Sequence, residues 1–462
     1  MRTLKEVMES GSLAVVGASL DPFKPGAILL KTLIDTGFKG KIAGVNPKGG
    51  SVNGVSLYSS LDKIPFDVDL AVMLIPPPLV PNAVHECAKK GVKGVVISSE
   101  GFAESGEQGR HYQDEISKIL QSSGMRGFGP NTLGIINTSS GLTTSYFTDE
   151  NMLLPGGVGF VSQSGIFVGA LLRYIGSLES LGISKGIGLG NKIDVDESDV
   201  LQYFLEDDQT RTIGMYIEDI RNGAKFIKSA KQATPKKPVL LLKGGQTVEG
   251  SRASASHTAS LAVNNAVLNG ALQQSGILRM NGIEEMINTL MGFEWMPLPK
   301  GNNIAIVTFS GAQAIMSVDA AVKNNVSIAK FSKKTAEALS HVIATPSKAY
   351  NPIDIFPDMM VHGFDKISME ILKALFEDKG VHGIVFISFA VSGAEPFHLL
   401  SEFISENRSK PVFVSLLGAK EDTRSTSDYL LKQKIPCVAY PEMAIQAFSH
   451  MWSYAKRRMP SQ

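Results

Sequence analysis

The stretch "LAVVGAS", residues 13–19, decides the architecture of the first part of this 462-residue chain. An unbroken apolar run ends in Gly17, Ala18 and Ser19. A strand covered by helices on both faces has this character, because neither side meets water. The small-residue turn after it lets a following helix start close to the strand end. Working outward, "KIAGVNP" (41–47), "VDLAVMLIP" (68–76) and "GVKGVVIS" (91–98) repeat the pattern, with helix-length amphipathic segments between them. The spacing predicts a doubly wound parallel sheet that ends near "FGPNTLGIIN", residues 128–137.

Beyond that point the chain repeats itself. "GFVSQSGIFVGALLRYIGSLESLGIS" (159–184) resembles "AIVTFSGAQAIMSVDAAVKNNVSIA" (305–329), "GNKIDV" (190–195) matches "YNPIDI" (350–355), and "KPVLLLKGG" (237–245) answers "KPVFVSLLGA" (410–419). Two related α/β units explain the correspondence, with "MPLPKGNN" (296–303) as the linker. The copies differ in two ways. Glu218 at the end of a strand aligns with Ser388, and residues 246–275 of the first copy are about twice as long as 420–434 of the second. The fold works without the longer insert, so the insert serves something else.

Composition excludes several classes. A formal net charge of +1 offers no attraction for nucleic acid or an anionic membrane. Two cysteines cannot build a disulfide framework or a cysteine zinc site and fit a reducing compartment. The uncharged run between Glu150 and Arg173 is broken by Pro155, glycines and Ser162–Gln163–Ser164, so strand, loop and helix are expected rather than a membrane span. "MRTLKEVMES" has no apolar signal segment, and a cytoplasmic protein is expected.

Four places carry candidate chemistry. In "VVGASLDPFKPG" (15–26) a turn at a helix start suits phosphate, yet G-x-G-x-x-G is absent and Asn46 stands where a nicotinamide enzyme has an acid for ribose. Lys24 and Lys48 flank the same sheet edge, favouring a phosphorylated adenosine group; a degenerate turn with solvated lysines remains the alternative. "VSQSG", with Ser162, Gln163, Ser164 and Gly165, is either a phosphate-holding helix start or an ordinary cap. Glu218 is either the partner of an imidazole or an exposed strand-end acid. Asp194, Asp196 and Glu197 in "GLGNKIDVDES" read as capping and turn residues, with no metal-ligand spacing. Finally, "GSRASASHTASLA" (250–262) places His257 among small residues in the insert that the sister unit lacks. A lone histidine is commonly structural, but a small-sided, Ser/Gly-rich loop suits one that carries a group covalently between two places.

In this order, "VGASLDPFKPG", "GPNTLGIIN", "VSQSGIF" and "SRASASHTASLA" resemble the α subunits of NDP-forming acyl-CoA synthetases, above all the ADP-forming acetyl-CoA synthetases, with succinyl-CoA synthetase α more distant. The resemblance covers essentially the whole chain. It implies a Rossmann-like CoA-binding domain (1–145), a flavodoxin-like ligase domain with the phosphohistidine loop (146–298) and a second, related ligase-like domain (299–462). It implies that His257 is phosphorylated and that Glu218 orients it. CoA contacts fall on Gly17, Ala18, Ser19, Lys24, Asn46, Pro47 and Lys48, with Ile75, Pro76, Glu100 and Asn131 along the channel, and phosphate on Ser162–Gly165. The reaction implied is acetyl-CoA + ADP + phosphate ⇌ acetate + ATP + CoA through acetyl phosphate. No Walker pattern is present, and the resemblance implies that ADP/ATP and Mg²⁺ bind an ATP-grasp β subunit, in a hetero-oligomer such as a heterotetramer. Thr132-Leu133 replaces the Cys-Pro common in succinyl-CoA synthetases, which argues against succinate. Rivals are a larger acyl group (aryl, branched-chain or succinyl), a non-catalytic CoA-binding regulator, and a NAD-dependent oxidoreductase.

Overall fold

The computed structural model describes residues 2–147, 154–177, 181–247, 249–250, 265–343, 350–356, 358–390 and 393–459. His257 lies outside the described residues. The chain forms two compact units, one running to Arg279 and one from Met280 onward.

The first unit contains two sheets. Among the described residues the first has seven strands, β1 (Ser12–Val16), β2 (Lys41–Val45), β3 (Gly50–Val52), β4 (Val55–Tyr58), β5 (Leu70–Met73), β6 (Gly94–Ile97) and β7 (Arg126–Phe128), in the order β3-β4-β2-β1-β5-β6-β7. All pairs are parallel except the β3/β4 hairpin. Apart from β3 this is the doubly wound order, and the winding reverses between β1 and β5. Every residue of β1 and β5 is buried, as their uniform apolar character requires.

The second sheet has β8 (Ile135–Asn137), β9 (Leu142–Thr143), β10 (Pro155–Ser162), β11 (Ile183–Gly188), β12 (Thr212–Ile217), β13 (Val239–Lys243) and β14 (Leu278–Met280), ordered β14-β13-β12-β10-β11-β8-β9. From β10 onward the order is flavodoxin-like, with the reversal between β10 and β12. This sheet begins upstream of residue 146, because β8 pairs antiparallel with β11 and β9 with β8. One hydrophobic cluster joins Leu13, Val15 and Leu30 of the first layer through Ile135 and Leu142 to Val161, Ile213 and Leu241 of the second.

The second unit holds β15 (Asn303–Thr308), β16 (Ser327–Ile328), β17 (Ile353–Asp354), β18 (Gly383–Phe389), β19 (Val412–Leu417) and β20 (Cys437–Val438), in the order β16-β15-β18-β19-β20 with β17 also on β15. The order again matches a flavodoxin-like sheet, as the internal repeat predicts. The helix Ile283–Trp295, which sequence grouped with 146–298, lies in this unit. The run between Glu150 and Arg173 contains β10 and the start of the helix Gly165–Ser177. Among the described residues no helix is long and apolar enough to cross a membrane.

Candidate functional site

At the carboxyl edge of the first sheet, β1 runs into Gly17, whose φ of +96° is left-handed. A Cβ on Gly17 would collide with the Leu74 carbonyl, and one on Gly26 with the carbonyl of Gly17. Two glycines therefore let the helix Pro25–Asp35 start directly against the turn, with exposed Lys24 as its cap residue. Asn46 ties the next loop to this turn: its Nδ2 donates to Ala18 O (2.7 Å) and its Oδ1 accepts from Lys48 N (2.9 Å). The amide that stands in the acid's place thus works inside the loop. Ser19 Oγ accepts from Asp21 N (3.1 Å). Pro47, Lys48 and Pro76 are exposed on the same edge. Farther along it, Ser99 Oγ donates to Ile75 O (2.5 Å), and Asn131 N donates to Ser99 O (3.0 Å). Gly17–Ser19, Asn46–Lys48, Ile75, Pro76, Glu100 and Asn131 all lie at one edge.

At the second reversal point the "VSQSG" turn follows β10. Ser162 is fully buried and its Oγ donates to Ser164 O (2.8 Å). Gln163 is also buried. Its Oε1 accepts from the backbone N of Glu218 (2.8 Å) and of Asp219 (3.0 Å), and its Nε2 donates to Asp219 Oδ1. Expected to meet phosphate, Gln163 instead has its side chain spent on clamping the end of β12. Half-buried Ser164 and Gly165 occupy the start of the following helix.

Glu218 directly follows β12. Tyr216 Oη donates to its Oε1 (3.2 Å), and the Lys243 ammonium donates to its backbone carbonyl (2.5 Å). Burial, reinforced by the Glu218 charge, pushes the Tyr216 phenol up to about 12, so it remains a donor. Burial also lowers the Lys243 pKa, against the opposing pull of Asp219 and Glu218. Gly244 packs closely, its Cβ position lying 3.2 Å from Glu218 Cγ.

Sequence reasoning read "GLGNKIDVDES" as capping and turn residues and missed that this segment joins the two edges. Leu189 N and Gly190 N donate to Ser162 O (2.8 Å) and Gln163 O (3.0 Å), while Asn191 N, Ile193 N and Val195 N donate to Pro130 O (2.9 Å), Gly129 O (2.8 Å) and Gly127 O (3.1 Å). Arg126 clasps Asp194 (2.7 Å) and Asp199 (3.0 Å). Asp196 caps the helix Glu197–Glu206 in a capping box, as a turn acid should. Lys192, at φ +55°, reaches Glu197 Oε2 (2.8 Å) and Asp219 Oδ1 (2.9 Å). The repeat of "GNKIDV" in "YNPIDI" was the available signal. The two edges face a cavity of about 280 Å³ walled by Glu100, Asn131, Leu133, Phe147 and Gly165. Tyr146 and Phe147 also wall a larger hollow of about 720 Å³ beside Leu20, Lys31 and Arg173. Among the described residues no group of His, Cys, Asp and Glu could hold a metal ion.

The third sheet corrects one alignment. Val161 pairs with Met215 and Val307 with Phe386, and Met215 pairs with Leu241 where Phe386 pairs with Val414. The ladders therefore set Phe389, not Ser388, opposite Glu218. The apolar runs of the two strands slide past each other by one residue without disturbing the sequence match, and only the ladder fixes the register.

Two family models match the chain, a CoA binding domain over residues 11–138 and a succinyl-CoA ligase like flavodoxin domain over 155–293. Acetate–CoA ligase [ADP-forming] II of Archaeoglobus fulgidus is 35% identical over 99% of this chain and 68% of its own length. Subunit alpha of acetate–CoA ligase [ADP-forming] I of Pyrococcus furiosus is 34% identical over 98% of both chains. An acetyl-coenzyme A synthetase 1 of Candidatus Korarchaeum cryptofilum, described as dinucleotide forming and solved with phosphate and ADP, superposes with a TM-score of 0.91 at 31% identity, covering 99% of this chain and 98% of the other. End-to-end agreement in sequence and fold leads to one conclusion: the chain belongs to the ADP-forming acetate–CoA ligase family.

Proposed function

We propose that this chain binds acetyl-CoA and phosphate and accepts the phosphoryl group in the reaction acetyl-CoA + ADP + phosphate ⇌ acetate + ATP + CoA. The observation that carries the proposal is the meeting at one cavity of Glu100 and Asn131 from the first edge with Gly165 from the second. A phosphate oxygen attacks the thioester carbonyl, the C–S bond breaks, and CoA leaves as the thiolate. The resulting acetyl phosphate lies at the start of the helix Gly165–Ser177, where backbone N–H groups and the helix dipole favour an anion. An imidazole nitrogen of His257 then attacks phosphorus and acetate departs. The Glu218 carboxylate accepts from the other ring nitrogen, holding the tautomer and offsetting the charge that grows on the ring. Phosphohistidine finally gives its phosphoryl group to the terminal phosphate of ADP.

The division of labour follows: the first sheet for CoA, the second sheet for phosphoryl transfer, and the third sheet, with the helix Ile283–Trp295 in its unit, as the related companion domain. Acetyl as the acyl group is supported by the small, partly apolar cavity walled by Leu133 and Phe147. A partner subunit is supported by the relatives: one named subunit alpha matches end to end, and another has about a third of its own length beyond the match. We assign that partner the ATP-grasp fold and the assembly to the cytoplasm. We assign Mg²⁺, together with ADP, to the partner subunit. The test is labelling with radioactive phosphate and acetyl-CoA, without ADP, in the presence of the partner. Acid-labile label on His257 that ADP removes is expected; no label with acetyl-CoA bound overturns the proposal.

A further inference from the structure

We propose that Lys192, Glu197 and Asp219 form a charged positioning relay that fixes Gln163 and, through it, Glu218 for phosphoryl transfer; the inference rests on the ligase reading above. Lys192 is 2% exposed and Glu197 is 0% exposed. Taking both ions out of water is costly, and apolar side chains of similar size would fill the space at less cost. The pair is therefore poor value as mere packing. What it does is hold Asp219: Lys192 Nζ lies 2.9 Å from Asp219 Oδ1 and 2.7 Å from its backbone carbonyl.

Asp219 in turn decides which way the Gln163 amide points. Its carboxylate accepts from Gln163 Nε2, leaving Oε1 to face the N–H groups of Glu218 and Asp219. A flipped amide would press NH₂ against two donors and oxygen against a carboxylate, so only one orientation satisfies the network. That orientation anchors the peptide carrying Glu218, whose side chain also meets Tyr216. The charged groups facing Asp219 are Lys192, Arg221 and Lys243, with Glu218 beside it and Glu197 across Lys192.

The sister sheet supplies the control. Its ladders and sequence place Phe309, Phe389, Ala390 and Pro352 where the first copy has Gln163, Glu218, Asp219 and Lys192. The same strand order forms without the relay, so the fold does not require it. The relay is present in the copy that carries Glu218.

The experiment compares wild type, Lys192→Met/Glu197→Leu and Asp219→Asn, each with the partner subunit. It measures single-turnover labelling by phosphate and acetyl-CoA, KM for CoA, and the pH dependence of kcat. The double variant removes the buried pair together and leaves Asp219 facing only Arg221 and Lys243, and Asp219→Asn keeps the shape while removing the carboxylate. Both are expected to label on the order of tenfold or more slowly, with KM for CoA within about threefold of wild type. The acid limb of the double variant should move to higher pH, since Asp219 without Lys192 protonates sooner. Wild-type rate and pH profile in either folded variant overturn the relay alone. Absence of label in the wild type overturns the ligase reading and the relay with it.

Discussion

Phe309 and Phe389 pack with ring centroids 4.4 Å apart, at the point of the third sheet that Gln163 and Glu218 occupy in the second. A hydrogen-bonded clamp in one copy is an aromatic pair in the other. An aromatic pair of this kind contributes about 0.5–1.5 kcal/mol beyond its buried area. Phe389→Ala should therefore lower the urea stability of the chain by about 1–2 kcal/mol and leave phosphohistidine formation at the wild-type rate. A large loss of labelling without a stability change would give this pair a part in the chemistry.

His257→Ala should abolish labelling while CoA affinity, read by calorimetry, stays within about threefold, because the imidazole is not among the proposed CoA contacts. Glu218→Gln should slow labelling by on the order of tenfold or more, since the amide carries no charge to offset the imidazolium. Turnover retained in His257→Ala would remove the phosphohistidine from the mechanism.

Gly17 and Gly37 make a paired test. Both have positive φ, +96° and +68°, but a Cβ on Gly17 would strike Leu74 whereas Gly37 has nothing within 4 Å. Gly37→Ala should cost only the backbone preference, about 1 kcal/mol, with CoA binding intact. Gly17→Ala should cost more than that and weaken CoA binding on the order of tenfold, because the turn itself must move. Equal CoA affinity in the two variants would separate the turn from the ligand.

Arg126 is buried and holds Asp194 and Asp199, so Arg126→Met leaves Asp194 without its cation, while Asp199 keeps Lys225 (2.7 Å). Thermal and urea unfolding should show a loss of about 3–5 kcal/mol. A loss below about 1 kcal/mol would mean that solvent or Lys225 serves these acids as well.

Acid should reach the relay through Asp219. Burial alone would raise its pKa, but the charge and hydrogen bond of Lys192, helped by Gln163 and Arg221, hold it below the ordinary carboxylate value. A depressed carboxylate stabilises the folded state above its unfolded pKa of about 3.9 and loses that contribution as pH falls through its folded value. Urea midpoints should thus drop below about pH 4, and Asp219→Asn should give a shallower drop over that window. Identical slopes would place the acid sensitivity elsewhere, for instance at Asp69.

The doubly wound and repeated sheets were legible because uninterrupted apolar runs such as Leu13–Val16 and Leu70–Met73 admit few structures besides covered parallel strands. The shared edge of Gly17, Asn46 and Asn131 was legible because glycine and short turns must lie where strands end. Gln163 was not, since a glutamine beside serines at a helix start looks equally suited to phosphate and to a clamp. Lys192 was invisible for a different reason. A buried lysine is defined by partners 5 and 27 positions away, Glu197 and Asp219, that meet it only after the sheet has formed. The slip from Ser388 to Phe389 has the same origin, because strand register is set by neighbours rather than by the strand itself.

The backbone bonds of residues 189–195 to both edges have a consequence for traffic. Stitched to Ser162 and Gln163 on one side and to 127–130 on the other, the two sheets share a single frame of reference. In the proposed reaction the thioester has no journey to make: it is cleaved at a fixed address, with coenzyme and phosphate berthed side by side. Distance enters only after the carbon–sulfur bond has gone, and the sole cargo is then a phosphoryl group. A molecule working in the proposed way can lend that group to a nucleotide elsewhere while its coenzyme stays moored.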